Sequence, residues 1–517
     1  MANINLFASI RGAMQRAATA KNEAGGAAYE RDPSAALALY AATGCLNGTF
    51  YANDETQLDH VLRLCGEVTT EFVAKTAVYA RQKAHMKDMP ALLLATLTMR
   101  NRDLLERAFA KVVDNGRMLR NFVQIVRSGR VGRKSLGSLP KRLVQRWLEQ
   151  ASVDAIIAAA VGQQPSLADV IRMVHPKPAN AEREALYAWI VGKPCSIDAL
   201  PAKLRAFEAF KVAAEGELPD LPFQYFTSLK LDRAQWTALA RHASWQTLRM
   251  NLNAFARHGV FDDAAVTAAL AARLRDPHSI ERARVLPYQL MTAYLAVGNG
   301  VPAAIKEALQ DAMEIATRNV PVLVGDVFVA VDVSGSMQSA VTGVRKGATT
   351  VTRCVDVAAL LAACVLRVNP QTRVLPFDTS VHAMDLNPRD SVMTQAQRLA
   401  GVGGGGTSIS APLAQINRRN AKVDLLVVVS DNESWKDTRC GTATETMRQW
   451  ARIRARCPRA RMVCIDLQPT ATSQAVESAD VLHVGGFSDA VFDVVAAHAA
   501  GGGAASHWTE QIESIAL

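Results

Sequence analysis

Along the first 320 positions, apolar side chains recur every three or four residues, the spacing of one helical face. Ala91–Met99, Leu104–Val113, Val153–Val161 and Ala264–Leu274 all follow it. In Pro140–Leu148 the pattern is close. Pro140 suits a first helical turn, Leu143, Val144, Trp147 and Leu148 form an apolar stripe, and Arg142 and Arg146 lie on the opposite face. Ser166 with Asp169 three positions on reads as a capping box that opens the helix carrying Arg172. That helix should stop at His175-Pro176-Lys177-Pro178. Many short helix pairs without a clean period predict a stacked all-α solenoid of the HEAT type. Beyond Asn319-Val320-Pro321 the period changes. Strands and helices should alternate over 322–332, 353–367, 372–377, 411–419, 424–430, 443–456, 461–466, 480–484 and 487–499. This order predicts a doubly wound, Rossmann-like α/β domain. The expected division is therefore 1–320 and 321–517, with Gly501-Gly502-Gly503 leading to a short tail.

Two of the predicted strands end in oxygen-bearing side chains. The apolar run from Val327 ends in Asp332-Val333-Ser334-Gly335-Ser336, and Leu425–Val429 leads into Ser430-Asp431. Such runs fit strands buried on both faces, whose carboxyl ends line the ligand crevice of an open parallel sheet. The flexible Gly403–Gly406 loop can bring Thr407 to the same edge. Asp332, Ser334, Ser336, Thr407 and Asp431 form a hard oxygen set suited to Mg²⁺ or another divalent cation such as Mn²⁺, rather than to zinc or copper. The Asp-x-Ser-x-Ser, Thr, Asp pattern resembles the metal-ion-dependent adhesion site of von Willebrand factor A domains. That resemblance implies one coordination position left for an acidic partner.

Composition narrows the class. The chain of 517 residues, 49% hydrophobic and 21% charged, is that of a folded soluble protein with more than one core. The apolar run Val357–Leu366 is about half a membrane span, and Met1–Phe7 lacks the basic and apolar regions of a secretion signal. Eight scattered cysteines without a Cys-x-x-Cys pair fit a reduced, cytoplasmic protein.

Charge is more informative than its total. Residues 1–320 hold 40 Lys and Arg against 30 Asp and Glu, and the remainder holds 18 of each, so the whole excess of +10 lies in the first part. Within it, Arg117, Arg120, Arg127, Arg130, Arg133, Lys134, Lys141, Arg142 and Arg146 occur with no acidic residue between Arg117 and Leu148. A stripe of this kind is the electrostatic footprint of a phosphate-backbone binder. Arg172 and Lys177 extend it, and His175 fits a structural role as well as an RNA contact. Aromatics make up only 6% of the chain, so base-stacking platforms are few and low sequence specificity is expected.

Enzymatic chemistry finds little support. The Gly403–Ser408 stretch lacks the lysine of a P-loop, and no Gly-x-Ser-x-Gly or His-Glu-x-x-His motif occurs. Two alternatives to RNA binding remain: a metal-dependent adhesion module on a helical scaffold, and a metal-dependent nuclease.

Local sequences sharpen the choice. Asn22-Glu23-Ala24-Gly25-Gly26, Asn47-Gly48-Thr49-Phe50-Tyr51, Val126-Arg127-Ser128-Gly129-Arg130, Arg284-Val285-Leu286-Pro287-Tyr288 and Ser430-Asp431-Asn432-Glu433-Ser434 resemble the TROVE-domain family of Ro autoantigen proteins. The resemblance covers almost the whole chain. It implies a ring of HEAT-like helices closed by the A domain, acting as a monomer. It also implies binding of small Y-like RNAs and of the single-stranded 3′ ends of misfolded or structured RNAs. An exoribonuclease or another protein would then be a partner at the adhesion site. The chain departs from the family at Ser166-Leu167-Ala168-Asp169, where the family reads Ser-His-Lys-Asp, and at Thr407-Ser408, where it reads Thr-Asp.

Overall fold

A computed structural model describes the chain apart from residues 1–15, 45, 51, 163–164, 214–215, 284, 286, 344–351, 435–442, 487–489 and 502–506. Two compact units result. One comprises Thr69–Val285, Ala296–Ala312 and Ile515–Leu517; the other comprises Met1–Val68, Leu286–Leu295 and Met313–Ser514.

The first unit is helical among its described residues. Its helices start where short polar side chains satisfy the free amides of the first turn. Asn115 accepts from the amides of Arg117 and Met118, and opens the helix Gly116–Arg127. That helix buries Met118, Leu119, Phe122, Val123 and Val126 and leaves Arg117 and Arg127 exposed. The helix Ser138–Gln150 buries Leu139, Pro140, Leu143, Val144 and Leu148. The capping box expected at Ser166 is present, with Asp169 as its partner, and opens the helix Leu167–Val174. His175 ends that helix in the left-handed region at φ +51°. Gln145 reaches across to the carbonyl of Val174 at 2.5 Å, tying the two helices together.

The second unit contains the α/β fold. Strands β3 (Val327–Asp332), β4 (Arg373–Phe377), β5 (Leu425–Ser430), β6 (Arg461–Asp466) and β8 (Val481–Gly485) form a parallel sheet in the order β4-β3-β5-β6-β8. Every residue of β3 and β5 is buried, which explains their unbroken apolar sequences. Phe328, Ala330, Leu426 and Val428 point to one face and pack with Leu413, Trp450 and Ile453. The intervening Val329, Val427 and Val429 face Leu361, Val365, Phe492 and Val495. Helices Cys354–Val368, Ser410–Arg418 and Glu445–Arg456 match the expected alternation within two residues.

The single cut expected at residue 320 does not describe these units. Nor is the amino-terminal region wholly helical. Strands β1 (Ala20–Lys21) and β2 (Ala27–Glu30) form a hairpin, and β2 pairs antiparallel with β7 (Thr472–Ser473). Arg31 completes the attachment through Asp466 at 2.8 Å, with side chains only 5% and 2% exposed. Helices Pro33–Thr43 and Asp54–Glu67 follow the hairpin within the same unit.

Candidate functional site

The sheet changes direction at β3, because the chain goes first to β4 on one side and then to β5 on the other. Asp332 is the last residue of β3, and Asp431 follows the last residue of β5. The fold therefore delivers both carboxylates to the crevice at the topological switch point.

Hydrogen bonds fix the loop after β3. Asp332 accepts from the Ser334 amide through Oδ1 at 2.9 Å and from the Ser430 hydroxyl through Oδ2 at 2.6 Å. Ser334 and Ser336 hydroxyls lie 3.3 Å apart, and the Ser336 side chain bonds Asp431. The glycine loop is held against this one by the Gly335 amide on the Gly405 carbonyl and the Gly404 amide on the Val333 carbonyl, at 2.9 and 2.8 Å. Gly403 has φ +84°, and a side-chain carbon there would collide with Val333. That close approach explains the glycine run without any phosphate. Thr407 is anchored through its carbonyl, which accepts from the Ser434 hydroxyl at 3.3 Å.

All five expected ligand residues are buried, none more than 5% exposed. Two carboxylates are thus held together away from water. Burial first, and then the Asp431 charge, pushes the Asp332 carboxyl well above the usual range; burial also raises Asp431. The Oδ2 of Asp431 is enclosed and has no hydrogen-bond partner among the described residues. An orphaned buried carboxylate oxygen beside a second carboxylate and the Ser334 and Ser336 hydroxyls fits a hard divalent cation, whose charge would offset the cost of burying both acids.

The pattern did not reveal two neighbours. Asp378, just after β4, receives the Gly405 amide at 3.1 Å and positions the glycine loop. Glu433 is fully buried, and burial followed by the Glu23 charge pushes its carboxyl up to about 8. Its Oε2 accepts the Ala24 amide of the β1–β2 hairpin at 3.1 Å. Asn22–Gly26 stood out in the sequence only through its family resemblance, and neither its turn nor its target was foreseen.

The basic residues cluster differently from the stripe in the sequence. Helix Leu167–Val174 packs against both Gly116–Arg127 and Ser138–Gln150, so all three basic segments belong to one part of the helical unit. Arg127, Lys134 and Arg142 are exposed, as is Arg117, and Lys141 is half-buried. The others are engaged. Arg120 is half-buried and reaches the Gly116 carbonyl, and Arg133 donates to the Thr98 carbonyl at 3.1 Å. Arg146 pairs with Glu106 at 2.8 Å, an acidic partner from the preceding Arg102–Val112 helix that the stripe itself does not contain. Arg172 bonds the Val191 carbonyl at 2.6 Å. Arg130 is exposed, and His175 and Lys177 are exposed beyond the end of their helix.

Residues 326–499 match the family described as the Ro60 vWA domain. Over those residues the chain is similar to the Ro60 von Willebrand A family. The chain is 27% identical over 518 residues to the RNA-binding protein RO60 of Deinococcus radiodurans, covering 93% of this chain and 95% of that one. The crystal structure of the Deinococcus radiodurans RO (RSR) protein matches with a TM-score of 0.64 at 24% identity, over 91% of this chain and all of the other. The Ro60 likeness thus reaches well beyond the A domain, and the helical region followed by a five-stranded parallel α/β domain is the architecture of that structure. Among the described residues no helix is long and apolar enough to cross a membrane.

Proposed function

We propose that this protein binds RNA through its helical unit and acts as a binding protein rather than a catalyst. One observation carries the reading: a cluster of exposed and half-buried cations, five of whose side chains have no hydrogen bond or ion pair among the described residues. These are Arg117, Arg127, Lys134, Lys141 and Arg142. Unpaired cations attract phosphate and release counterions when it binds. The relation to a protein named for RNA binding points the same way. Backbone charge and shape carry recognition, so structured RNA with a free single-stranded 3′ end is the favoured ligand. Y-like RNAs, with contacts from Arg172, His175 and Lys177, belong to this reading.

The A domain in turn holds Mg²⁺ or a similar cation on Asp332, Ser334, Ser336, Thr407 and Asp431. A bound cation would supply charge neutralisation and a point of attachment for a carboxylate. This chain's contribution is to hold the two acids and the Ser334 and Ser336 hydroxyls at two adjacent strand ends, with Thr407 brought in on the glycine loop. An adhesion function at this site, with an exoribonuclease or other acidic partner, is compatible with RNA binding elsewhere. Matched RNA hairpins with and without a 3′ overhang test the main reading in a gel-shift assay at fixed salt. Tighter binding of the overhanging form is expected; equal affinity would remove the preference for single-stranded ends, and no binding of either would remove the function.

A further inference from the structure

At the edge of the sheet opposite the acid set, where β3 and β4 begin and the helix Ser410–Arg418 ends, lies a second cavity. Its volume of about 320 Å³ is at the lower end of the range for small-molecule pockets, roughly 300–1,000 Å³. Buried Phe328, Leu375 and Ile416 give it an apolar floor. Arg373, Arg419 and Lys422 line it against a single acid, Asp326. Asp326 lies 3.7 Å from Arg373 and 3.5 Å from Lys422, and Lys422 is also 3.5 Å from Asp424. Long, exposed ion pairs of this kind bind weakly. Arg419 has no side-chain hydrogen bond or ion pair among the described residues, and neither has Gln415 beside it. The Arg373 guanidinium lies over the ring of Phe328, its partner across the strands, at 5.1 Å from the ring centre. The turn that carries Arg419 is fixed by the Arg419 amide on the Gln415 carbonyl and the Ala421 amide on the Ile416 carbonyl, both at 3.1 Å. Arg456 Nε adds a bond to the Ala421 carbonyl at 3.2 Å.

We propose that this cavity binds a nucleoside 5′-monophosphate, free or as the 5′ end of an RNA, with the phosphate on Arg419 and Lys422 and the base on the Arg373 guanidinium. Cations outnumber the acid in the lining, so the ligand is an anion. A forked guanidinium with no partner beside an ammonium suits phosphate oxygens, which take charge-assisted bonds from both. Guanidinium planes stack nucleobases, and Arg373 is already held in place by the ring of Phe328. Gln415 offers a free amide to a base edge, and the apolar floor takes the remaining surface. Every one of these residues belongs to the unit that contains the α/β fold. The site is therefore separate from the cation cluster of the helical unit and does not depend on the RNA reading of that cluster.

The test uses the full chain and radiolabelled adenosine 5′-monophosphate in equilibrium dialysis. The nucleotide should bind more tightly than adenosine, which lacks the phosphate, and than inorganic phosphate, which lacks the base. Arg419→Ala removes an exposed side chain that holds nothing in the fold, and should weaken nucleotide binding about tenfold. Arg373→Lys keeps the charge and loses the plane. It should weaken the nucleotide about five- to tenfold and leave inorganic phosphate unchanged. Arg127→Ala/Arg142→Ala, in the helical unit, should bind the nucleotide as the wild type does. A 5′-phosphorylated RNA that displaces the nucleotide where its 5′-hydroxyl form does not would identify the ligand as an RNA end. Displacement by neither would identify it as a free nucleotide. Equal displacement by both would overturn the proposal, since the phosphate end would then play no part. No saturable binding of the nucleotide, or wild-type affinity in Arg419→Ala, would also overturn it, and either result would leave RNA binding by the helical unit standing.

Discussion

The sharpest consequence of the cation geometry concerns which arginines set the salt dependence of RNA binding. Removing Arg127 and Arg142 together takes away two exposed side chains with no partner among the described residues. Removing Arg133 and Arg146 takes away two that are already engaged, one by the Thr98 carbonyl and one by Glu106. If all five unpaired cations meet phosphates, the slope of log K against log salt should be roughly −3.5 for single strands and −4.5 for duplex. The Arg127→Ala/Arg142→Ala double variant should flatten it by about 1.4 to 1.8. Arg133→Ala/Arg146→Ala should change it by less than about half as much, because Glu106 already offsets the charge of Arg146 and phosphate contacts that are not made release no counterions. Fluorescence anisotropy with one labelled hairpin RNA at four salt concentrations measures both slopes. Equal flattening by the two pairs would show that hydrogen bonds within the protein do not predict which cations meet RNA. No flattening by either would return the cluster to an ordinary solvated surface.

Three further outcomes are expected. Asp332→Ala should abolish Mg²⁺ binding by titration calorimetry and leave the RNA dissociation constant within about twofold, since burying a lone Asp431 cannot hold a divalent ion; an equal fall in both would mean the sites are not independent. Asp332, Asp431 and Glu433 all have raised carboxyl pKa values, so the stability they contribute is complete only below about 3.8 and is lost as the pH rises towards about 8. Cation-free protein should therefore melt at lower temperature at pH 8 than at pH 5, with Mg²⁺ removing the difference, and a flat profile without Mg²⁺ would contradict the burial argument. Arg31→Met should destabilise the α/β unit by about 3–5 kcal/mol in urea unfolding, because it leaves Asp466 buried without its cation; a loss under about 1 kcal/mol would show that the pair is dispensable.

Legibility in the sequence followed burial. β3 and β5 were readable because strands covered on both faces must be apolar throughout, and their carboxyl-terminal oxygens stand out against that run. Both site carboxylates came from that contrast alone. The hairpin was not readable as strand, since β1 is two residues long and β2 four, too short for a period. Its partners lie over 400 positions away in sequence, as with Asn22 and Ser434 or Arg31 and Asp466. Glu433 had no signal of its own either. A glutamate two residues after a ligand looks like any loop acid until the fold buries it. The stripe misled in the opposite direction. A stretch free of acids says nothing of acids brought from another helix, and Glu106 lies outside it.

One buried network shows why geometry alone does not make chemistry. Ser473, His483 and Asp466 stand in the order of a hydrolase triad, with Oγ 3.0 Å from Nε2 and Nδ1 3.5 Å from Oδ2. Yet His483 Nε2 is also 3.0 Å from the Ala475 carbonyl, which can only accept, so this nitrogen carries a proton and cannot take one from serine. The Ser473 hydroxyl itself donates to the same carbonyl at 2.8 Å. None of the three residues is more than 4% exposed, which leaves no approach for a substrate. Asp466 spends its charge on Arg31 instead, at the foot of the hairpin whose tip engages Glu433. The network thus fixes one end of the hairpin with a buried ion pair, while the tip at the other end is fastened to the Glu433 carboxylate.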